Sequence, residues 1–486
     1  MRSRFRDVRG SASIRGRESG DYVPASLDPL RVQRVDAGAK VNLDGRYILY
    51  WTQIFRRPRH NHALNYAVER ANELGFPVVV YEGLRHDYPW ASDRIHVFIL
   101  EGARESAREL ARRRIPHVFF LQRNAREHRK AVAHLGRDAA LVVTDLFPSF
   151  IIPGQTAKAV RQLRVPFYAV DSCGVVPIRA FEKEEYAART LRPKITALLD
   201  EHLKDIEDPR PEHQSRDPGI DFPWRTDLEA SDPRELATSS AIDHSVPPVA
   251  SSPGGWCAAE ATLRRFIDGA FGRYADDRNH PDREAGSGLS PYLHFGHIAS
   301  TDCALAAKRK KGVGEKHRKA FLEELIVRRE LSYNFALRNA GHDSLEGLPD
   351  WVLRNLSEHA GDARPHLYSL GELERAETHD EVWNAAQRQL LREGRIHNYL
   401  RMVWGKKVIE WSRSHAEAFE ILVHLNNKYA LDGRDPNSWT GILWCFGKHD
   451  RAWQTTPVLG KIRPMSTANT RRKVRMEKYL KRFGPF

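Results

Sequence analysis

Tyr47-Ile-Leu-Tyr-Trp51 begins a series of short apolar runs that continues to about Val176. The other runs are residues 77–81, 117–121, 140–144 and 165–170, and amphipathic stretches near 61–74, 93–114, 123–135 and 155–164 separate them. Runs this short, rich in β-branched and aromatic residues, are typical of buried strands. Strands that alternate with helices predict a parallel, doubly wound α/β sheet.

This predicted domain carries none of the familiar phosphate-binding motifs. Neither GxGxxG nor GxxxxGK[ST] follows its first strand, so a common dinucleotide or ATP site is not supported. The open carboxyl ends of the strands could still hold a ligand where the strand order reverses.

The rest of the chain has a different organisation. Residues 204–255 contain eight prolines among Ser, Asp and Glu and predict a long connection that is partly ordered at most. From Ala258 onward the pattern is helical, with runs near 258–275, 316–340, 379–394, 396–412 and 415–428. We therefore predict an α/β plus all-α fold. Its parts are a basic, disordered arm (1–44), an α/β domain (45–178), an interdomain linker (179–256) and a larger helical domain (257–482).

The composition points to a polyanionic partner. The 486 residues include 77 Lys and Arg against 63 Asp and Glu, giving a net charge of +14. This excess favours nucleic acid, although a basic surface that serves only solubility is the plain alternative. Four widely spaced cysteines form no disulfide framework, so we expect a reducing, cytoplasmic setting. No apolar run reaches the ~18 residues of a membrane span, and no secretory signal is visible. We expect the protein to be a monomer.

Residues 395–411 carry the most informative pattern. They read Arg-Ile-His-Asn-Tyr-Leu-Arg-Met-Val-Trp-Gly-Lys-Lys-Val-Ile-Glu-Trp and predict one helix. Asn398 and Met402 share a face of it, and Trp404 and Trp411 lie two turns apart. A third indole, Trp383, precedes them on another helical segment. Indoles on one stripe usually pack in a core, but three of them could also carry electrons from solvent to a buried redox cofactor.

Two earlier segments could also bind a ligand. Ser290 precedes Pro291, which predicts a helix with Ser290 as its N-cap; this is either an ordinary capped helix or a phosphate site. Residues 323–331 read Glu-Glu-Leu-Ile-Val-Arg-Arg-Glu-Leu and predict a salt-bridged helix. Its apolar residues place at least one glutamate beside the core, where a partly buried carboxylate needs a purpose or a partner.

The C-terminal part of the chain combines turns with tryptophan and arginine. Residues 432–437, Asp-Gly-Arg-Asp-Pro-Asn, are typical of a turn. They do not match the EF-hand spacing, so we predict no metal site there. Arg451 and Arg463 accompany Trp444 and Trp453. Cations mixed with flat apolar faces are suited to gripping nucleic acid and to replacing a displaced base in the stack.

Five motifs, taken in order, resemble those of class II photolyases, the flavoproteins that repair cyclobutane pyrimidine dimers in DNA with light. They are Tyr-x-x-x-Arg-Asn from Tyr274, Gly-Ser-Gly-Leu-Ser-Pro-Tyr-Leu from Gly286, the glutamate-rich stretch from Glu323, Arg-Met-Val-Trp-Gly-Lys-Lys-Val-Ile-Glu-Trp from Arg401 and Leu-Asp-Gly-Arg-Asp-Pro-Asn from Leu431. The last two are specific to class II. The resemblance covers residues from about 45 to 480.

The resemblance implies an FAD folded inside the helical domain. Asn426 would face flavin N5, and Arg278 and Asp450 would form a salt bridge that covers the flavin. The other implied FAD-binding residues are Tyr274, Ser287, Leu289, Ser290 and Asp432. The first domain would be the place of an antenna pigment, which is a deazaflavin, a folate, a flavin or none.

The resemblance also implies a site for the lesion. Glu324 would hydrogen-bond the dimer and stabilise its radical anion as a donor, which requires a protonated or proton-sharing carboxyl. Asn398 and Met402 would line the dimer pocket, and an asparagine at the first position favours cyclobutane dimers over (6-4) lesions. Val327 stands where class I relatives carry a tryptophan, so base packing would fall to Trp444 or another side chain.

Two further sets of roles follow from the resemblance. Trp404, Trp383 and Trp411, in that order outward, would form the photoreduction chain. Arg451, Trp453 and Arg463 would fill or clamp the gap that a flipped lesion leaves in UV-damaged DNA, and Trp444 would form a wall of the pocket.

The implied function is light-driven splitting of the dimer by an electron from photoexcited, reduced FAD. A cryptochrome-like blue-light photosensor on the same fold is the alternative. A DNA-binding protein without catalysis, whose tryptophans all pack in the core, is a third possibility. The third predicts a colourless protein, whereas the first two predict a coloured one.

Overall fold

A six-stranded sheet forms the centre of the N-terminal domain. The computed structural model describes residues 23–127, 129–214 and 218–485, and the sheet has the strand order β1-β6-β5-β2-β3-β4. The strands are β1 (Val32–Arg34), β2 (Tyr47–Thr52), β3 (Val78–Arg85), β4 (His117–Gln122), β5 (Ala139–Asp145) and β6 (Phe167–Val170). Strands β2 to β6 pair in parallel. The five predicted strands and the doubly wound topology are therefore confirmed.

The predicted disordered arm is corrected in its second half. Residues 1–22 lie outside the described residues. Val32–Arg34 pairs with β6 in the antiparallel direction, as the edge strand of the sheet. The carboxylate of Asp36 accepts the backbone N–H of Phe167 at 2.9 Å and secures the chain just after this strand. The prediction of disorder is thus wrong for residues 23–44, because backbone pairing at the sheet edge orders them.

Helices cover both faces of the sheet. They are α1 (His62–Leu74), α2 (Asp93–Arg112), α3 (Ala131–Gly136) and α4 (Ile152–Val160). Every residue of β2 and β5 is buried, as expected of parallel strands that are covered on both faces. The strand order reverses between β2 and β5, and such a switch point opens a crevice at the carboxyl ends of the two strands.

The connection between the domains contains regular structure. It includes α5 (Ala188–His202) and α6 (Pro233–Thr238), and α6 packs on α2. Before α6 the chain runs along α1, where the side-chain amide of Asn65 donates to the carbonyl of Glu207 at 2.9 Å. Ordered contacts of this kind hold more of the connection in place than its proline content predicts.

The remaining chain is helical, as predicted. The helices are α7 (Trp256–Asp268), α8 (Tyr274–Asp277), α9 (Ser290–His294), α10 (Ser300–Arg309), α11 (Glu315–Leu322), α12 (Arg329–Arg338), α13 (Asp350–Glu358), α14 (Leu370–Glu374), α15 (Glu381–Glu393), α16 (Asn398–Trp411), α17 (His415–Tyr429), α18 (Pro436–Cys445), α19 (Thr467–Lys473) and α20 (Glu477–Arg482). A π-helical stretch, Glu323–Arg328, joins α11 to α12. Within the described ranges, no helix has the length and apolarity needed to cross a bilayer.

One buried arginine joins the two domains. Arg94 of α2 is 2% exposed, and its guanidinium donates to the carbonyl oxygens of Leu390 (3.3 Å), Leu391 (2.6 Å) and Tyr429 (2.6 Å). These carbonyls belong to the last turns of α15 and α17, where a helix carries partial negative charge. Burial lowers the pKa of Arg94 to about 10. A single cation of the α/β domain thus holds the ends of two helices of the other domain.

Candidate active site and nucleic-acid interface

Three indoles from α15 and α16 lie in contact inside the helical domain, and we call them the tryptophan chain. Trp404 and Trp383 stack with their ring centroids 6.3 Å apart and their planes 8° apart. Trp383 meets Trp411 edge to face at 5.7 Å. All three side chains are buried, at 1–3% exposure. Their spatial order is the order expected from the resemblance, and their role in electron transfer stays a prediction.

Hydrogen bonds fix the orientation of the two inner indoles. Trp404 Nε1 donates to Gln387 Oε1 at 3.0 Å, and Trp383 Nε1 donates to the carbonyl oxygen of Trp404 at 3.0 Å. A buried indole N–H needs such an acceptor. Gln387 was missed in the sequence, although it lies four residues after Trp383 and therefore on the same face of α15.

The outer end of the chain is covered by two side chains. Trp411 lies 5.5 Å from the ring of Tyr368 and 5.2 Å from that of His379. The hydroxyl of Tyr368 lies 2.5 Å from Nδ1 of His379, whose side chain is exposed. Trp411 itself therefore does not open to solvent.

Around the predicted flavin-facing residue Asn426, two neighbouring side chains leave polar atoms without partners. Asn426 Nδ2 donates to Asn427 Oδ1 at 3.1 Å, and the same oxygen accepts the backbone N–H of Arg434 at 2.8 Å. Asp432 Oδ2 lies 3.4 Å from a guanidinium nitrogen of Arg401. Asp432 Oδ1 and Asn427 Nδ2 are buried with no hydrogen-bond partner among the described residues. Buried polar atoms normally pair, so this site fits a polar ligand such as a flavin.

Three of the residues predicted to bind FAD, Ser287, Leu289 and Ser290, lie before and at the start of α9. Ser287 Oγ accepts the backbone N–H of Leu289 at 3.4 Å. Leu289 occupies the cap position and Ser290 is the first helical residue, with no side-chain cap bond. The prediction of Ser290 as N-cap is wrong by one residue, because the chain is already helical at the residue before Pro291.

Glu324 lies at the edge of the core, as its neighbours in sequence predicted. Its carboxylate accepts a hydrogen bond from Arg278 at 2.7 Å, and its side chain is 32% exposed. Arg278 also covers the ring of Tyr274, with Cζ 5.5 Å from the centroid. The arginine next to Glu324 makes this carboxylate an acceptor in the structure, whereas the expected role with a lesion is that of a donor.

The predicted Arg278–Asp450 salt bridge is not formed. Asp450 lies on the turn after α18, where its Oδ1 accepts the backbone N–H of Arg451 at 2.8 Å and the indole N–H of Trp453 at 3.3 Å. The carboxylate is therefore used within its own loop, and Glu324 takes its place beside Arg278.

The π-helical stretch replaces the regular helix that was predicted over these residues. The backbone N–H of Arg329 reaches back to the carbonyl of Glu324, five residues earlier, and Glu323 pairs with Arg328 at 3.3 Å across the same spacing. The predicted salt bridging within this helix is thus corrected to one pair at the wider i,i+5 spacing, whereas Glu324 pairs outside the stretch with Arg278. Arg328 covers Trp444, with Cζ 5.2 Å from the ring. π-Helical turns are frequent at functional sites, and this one places Glu324 and Arg328 toward partners.

The two residues predicted to line the dimer pocket share one face of α16. Asn398 is its exposed first residue, and Met402 is half-buried one turn later. Close packing brings α18, which carries Trp444, against this helix. A Cβ on Gly405 would lie 2.5 Å from Cys445 Sγ, so glycine is required at this contact. Lys406, 1% exposed, donates from Nζ to the carbonyl oxygen of Cys445 at 2.8 Å and caps α18.

The loop after α18 presents an arginine–tryptophan surface. Arg451 and Arg463 are exposed and cover the half-buried Trp453, with Cζ atoms 4.7 and 5.0 Å from its ring. Two cations on one indole form the combination that binds phosphates and stacks bases. The structure brings these three residues together, although Arg463 lies 12 positions after Arg451 in the chain.

A cavity of about 210 Å³ lies at the switch point of the sheet. Aromatic and aliphatic side chains line it, and its charged lining residues are Arg56, Arg85, Arg129, Lys130, Lys158 and Arg434. None of the lining residues is acidic. Gln53 Oε1 and Tyr88 OH are lining atoms that are buried without a hydrogen-bond partner among the described residues. The open strand ends, where a ligand was considered possible, thus form a cavity with cationic lining residues.

The fold and the chain both resemble those of known photolyases. No protein-family model matches the sequence. A deoxyribodipyrimidine photo-lyase of Methanothermobacter thermautotrophicus is 38% identical over 446 residues, 92% of this chain and 96% of the relative. One of Arabidopsis thaliana is 36% identical over 94% of this chain and 92% of the relative.

Solved structures agree at the level of the fold. A cryptochrome of Synechocystis superposes with a TM-score of 0.68 at 13% identity, over 90% of this chain and 88% of that one. An archaeal photolyase of Sulfolobus tokodaii, described with two FAD molecules, superposes with a TM-score of 0.65 at 16% identity, over 90% and 89%. Since the sequence relatives are aligned over nearly their whole length, this chain belongs to the deoxyribodipyrimidine photo-lyase family.

Proposed function

We propose that this protein is a class II photolyase, which binds FAD and splits cyclobutane pyrimidine dimers in DNA under blue light. The observation that carries the proposal is the continuous contact from Trp404 through Trp383 to Trp411. These indoles lie in the same helical domain as the partnerless polar atoms of Asn427 and Asp432. A protein that only bound DNA would need neither feature.

Residues around this site would hold FAD. Asn426 would keep its amide oxygen available for the flavin, because its amide N–H already donates to Oδ1 of Asn427. Asp432 and its partner Arg401 would lie beside the ring system. Tyr274, Ser287, Leu289, Ser290 and the turn at Asp450 would contact the phosphates, the ribityl chain or the edge of the ring. The cofactor supplies the light-driven electron when bound.

The lesion would be received between α16, α18 and the π-helical stretch. A dimer inside a duplex cannot reach a buried cofactor, so it must be flipped out, as in other base-flipping enzymes. Extrusion costs only a few kcal/mol, because the dimer is poorly stacked. Asn398, Met402 and Trp444 would line the pocket. Glu324 would exchange Arg278 for the dimer carbonyl and would then carry or share a proton, so that it acts as the donor.

The gap in the duplex would be filled by the arginine–tryptophan surface. Trp453 offers a flat face for stacking, and Arg451 and Arg463 offer charges for the flanking phosphates. The net charge of +14 supports an anionic polymer as the partner. We also propose that the protein acts as a monomer and that it works in the cytoplasm. The four free cysteines support the second point, because thiols stay reduced in that compartment.

The cavity in the α/β domain would hold an antenna pigment. Its flat aromatic lining suits a planar chromophore. Arg56 and Arg85 pair with Glu82 and Asp87, but Lys130 and Lys158 also line the cavity and no lining residue is acidic, which favours a chromophore that carries negative charge. A phosphate-bearing flavin or an ionised deazaflavin meets both conditions. The archaeal photolyase of similar fold that is described with two FAD molecules supports a flavin as one candidate.

A light-switched repair assay tests the proposal. The reduced protein is mixed anaerobically with an oligonucleotide that holds one thymine dimer, and the regain of thymine absorbance is followed in blue light and in darkness. We expect repair only in light. Glu324→Ala should slow it roughly 100-fold, the usual cost of losing one hydrogen bond to a developing charge, whereas the neighbouring Glu323→Ala should repair normally.

The outcomes separate the alternatives. Bound, reducible FAD without any repair would favour the photosensor. A colourless protein that cannot be loaded with FAD would contradict both light-dependent functions. Equal losses in the two glutamate variants would show that Glu324 acts on stability and not on the lesion.

A further inference from the structure

The segment that leaves the α/β domain holds the turn that carries the arginine–tryptophan surface. Lys448 forms an ion pair with Glu184. His449 Nδ1 is hydrogen-bonded to the carbonyl oxygen of Tyr186 at 2.7 Å, and the hydroxyl of Tyr186 donates to the carbonyl oxygen of Asp450 at 2.8 Å. Three consecutive residues of the turn are thus bound by residues 260 or more positions earlier.

This turn needs external support. His449 is buried and has a φ of +59°, a left-handed conformation that side chains rarely adopt. Such backbone is strained and persists only where its surroundings hold it. Tyr186 supplies that support with both its carbonyl and its hydroxyl group.

Tyr186 is nevertheless far more exposed than a residue with a purely supporting role. Its side chain is 45% exposed. The residue it binds, Asp450, also accepts the indole N–H of Trp453 at 3.3 Å, so Tyr186 and Trp453 lie on two sides of one aspartate. Tyr186 is therefore a partly exposed aromatic residue next to the arginine–tryptophan surface.

An unpaired cation follows this tyrosine. Arg189, in the first turn of α5, is exposed and makes no ion pair or hydrogen bond within the described ranges. By contrast, Arg192 of the same helix is bound to Glu323 at 2.7 Å. Arg189 is thus available to an external anion, whereas Arg192 is already neutralised.

We propose that Tyr186 and Arg189 are further DNA-binding residues, which extend the arginine–tryptophan surface onto the start of α5. Tyr186 would pack its ring on a sugar or base that flanks the lesion gap, and Arg189 would bind a phosphate of the same strand. An aromatic face beside a free cation is the usual means of following a nucleic-acid strand. This inference rests on the proposed function, because it requires a damaged duplex as the partner.

Binding in the dark tests the proposal without repair chemistry. The dissociation constant of the FAD-loaded protein for a duplex with one thymine dimer is measured by fluorescence anisotropy over a series of salt concentrations. Tyr186→Ala should weaken binding about 5- to 150-fold, the range for loss of one stacked base. Tyr186→Phe, which keeps the ring, should lose much less. Arg189→Ala should reduce the slope of log K against log salt by about 0.9, the value for one phosphate contact.

Two controls make the result decisive. Arg161→Ala removes an exposed arginine that follows α4 in the α/β domain and should bind as the wild type does. Equal weakening by Tyr186→Phe and Tyr186→Ala would overturn the proposal, because it would leave only the hydroxyl's support of the turn. An unchanged salt slope in Arg189→Ala would overturn the phosphate contact. Wild-type protein with no preference for the damaged duplex would instead refute the proposed function.

Discussion

The tryptophan chain and Trp453 use the same side chain in opposite surroundings. In the chain, three indoles are 1–3% exposed and their rings contact one another. Trp453 is half-buried, lies on a loop and is covered by two arginine side chains. The first arrangement is dry and rigid, and the second is wet and positively charged.

The difference shows what each role requires of an indole. A path for electrons needs rings at fixed short separations, which packing and the hydrogen bond from Trp404 to Gln387 provide. A DNA contact needs an apolar face that is still free to stack and charges that a phosphate can reach. Residue type does not distinguish the two, but burial and neighbours do.

The largest effect should come from breaking the middle of the tryptophan chain. Trp383→Phe keeps a buried aromatic ring, but benzene is much harder to oxidise than indole. If the barrier to electron transfer rises by about 3 kcal/mol, photoreduction of bound FAD slows roughly 100-fold. The measurement is flavin absorbance during anaerobic illumination with an external reductant. Trp351→Phe, in the same domain, is the matched control, and wild-type rates in Trp383→Phe would show that electrons take another path.

A second large effect is expected where the α/β domain holds the helix that carries Trp383. Arg94→Met leaves the last carbonyls of α15 and α17 without their cation. Since hydrogen bonds to a charged group contribute roughly 1.5–3 kcal/mol each, we expect the free energy of unfolding to fall by about 3 kcal/mol. Denaturant titration measures the change, and Arg161→Met serves as the exposed control. An unchanged midpoint would mean that other contacts alone hold the two domains together.

The exposed side of the comparison should respond in binding and hardly in stability. Trp453→Ala should weaken the complex with a dimer-containing duplex by about 1–3 kcal/mol, the contribution of one stacked base. Its thermal midpoint should stay close to that of the wild type, because the side chain is half-exposed. Anisotropy titration and thermal unfolding of the same preparation check both parts. A large loss of stability would instead make Trp453 a structural residue.

The smallest effect concerns the buried lysine between the two regions. Burial lowers the pKa of Lys406 from 10.5 to about 8. Between these two pH values the unfolded chain binds a proton that the folded protein has lost, so this lysine makes stability rise with pH there. Relative to Lys406→Met, the wild type should therefore gain stability from about pH 8 to 10.5. Thermal midpoints of both proteins across this range test it, and a constant difference would contradict it.

Most of the fold was readable from the sequence, and the reason is periodicity. The strand at Tyr47–Thr52 and the helix at Asn398–Trp411 are long enough for their apolar patterns to specify the element. Residues 23–44 were misjudged because β1 has only three residues. Its order comes from pairing with β6, which no local pattern reveals.

The site was predicted unevenly for a similar reason. Trp404 and Trp411 are recognisable from their motif, but Gln387, which accepts the indole N–H of Trp404, is identified only once α15 packs against α16. Arg278 pairs with Glu324 instead of Asp450, and Glu324 lies in a π-helical turn, whose backbone geometry residue types do not predict.

The two-part architecture, the family motifs, the basic charge and the positions of the tryptophans follow from residue type and spacing along the chain. Packing in three dimensions sets which indoles touch, which carboxylate meets Arg278, where Arg94 crosses between the domains and that Tyr186 supports a turn 260 or more residues away. Those contacts join distant parts of the chain, and they form only when packing and the pairing of buried polar groups are satisfied together.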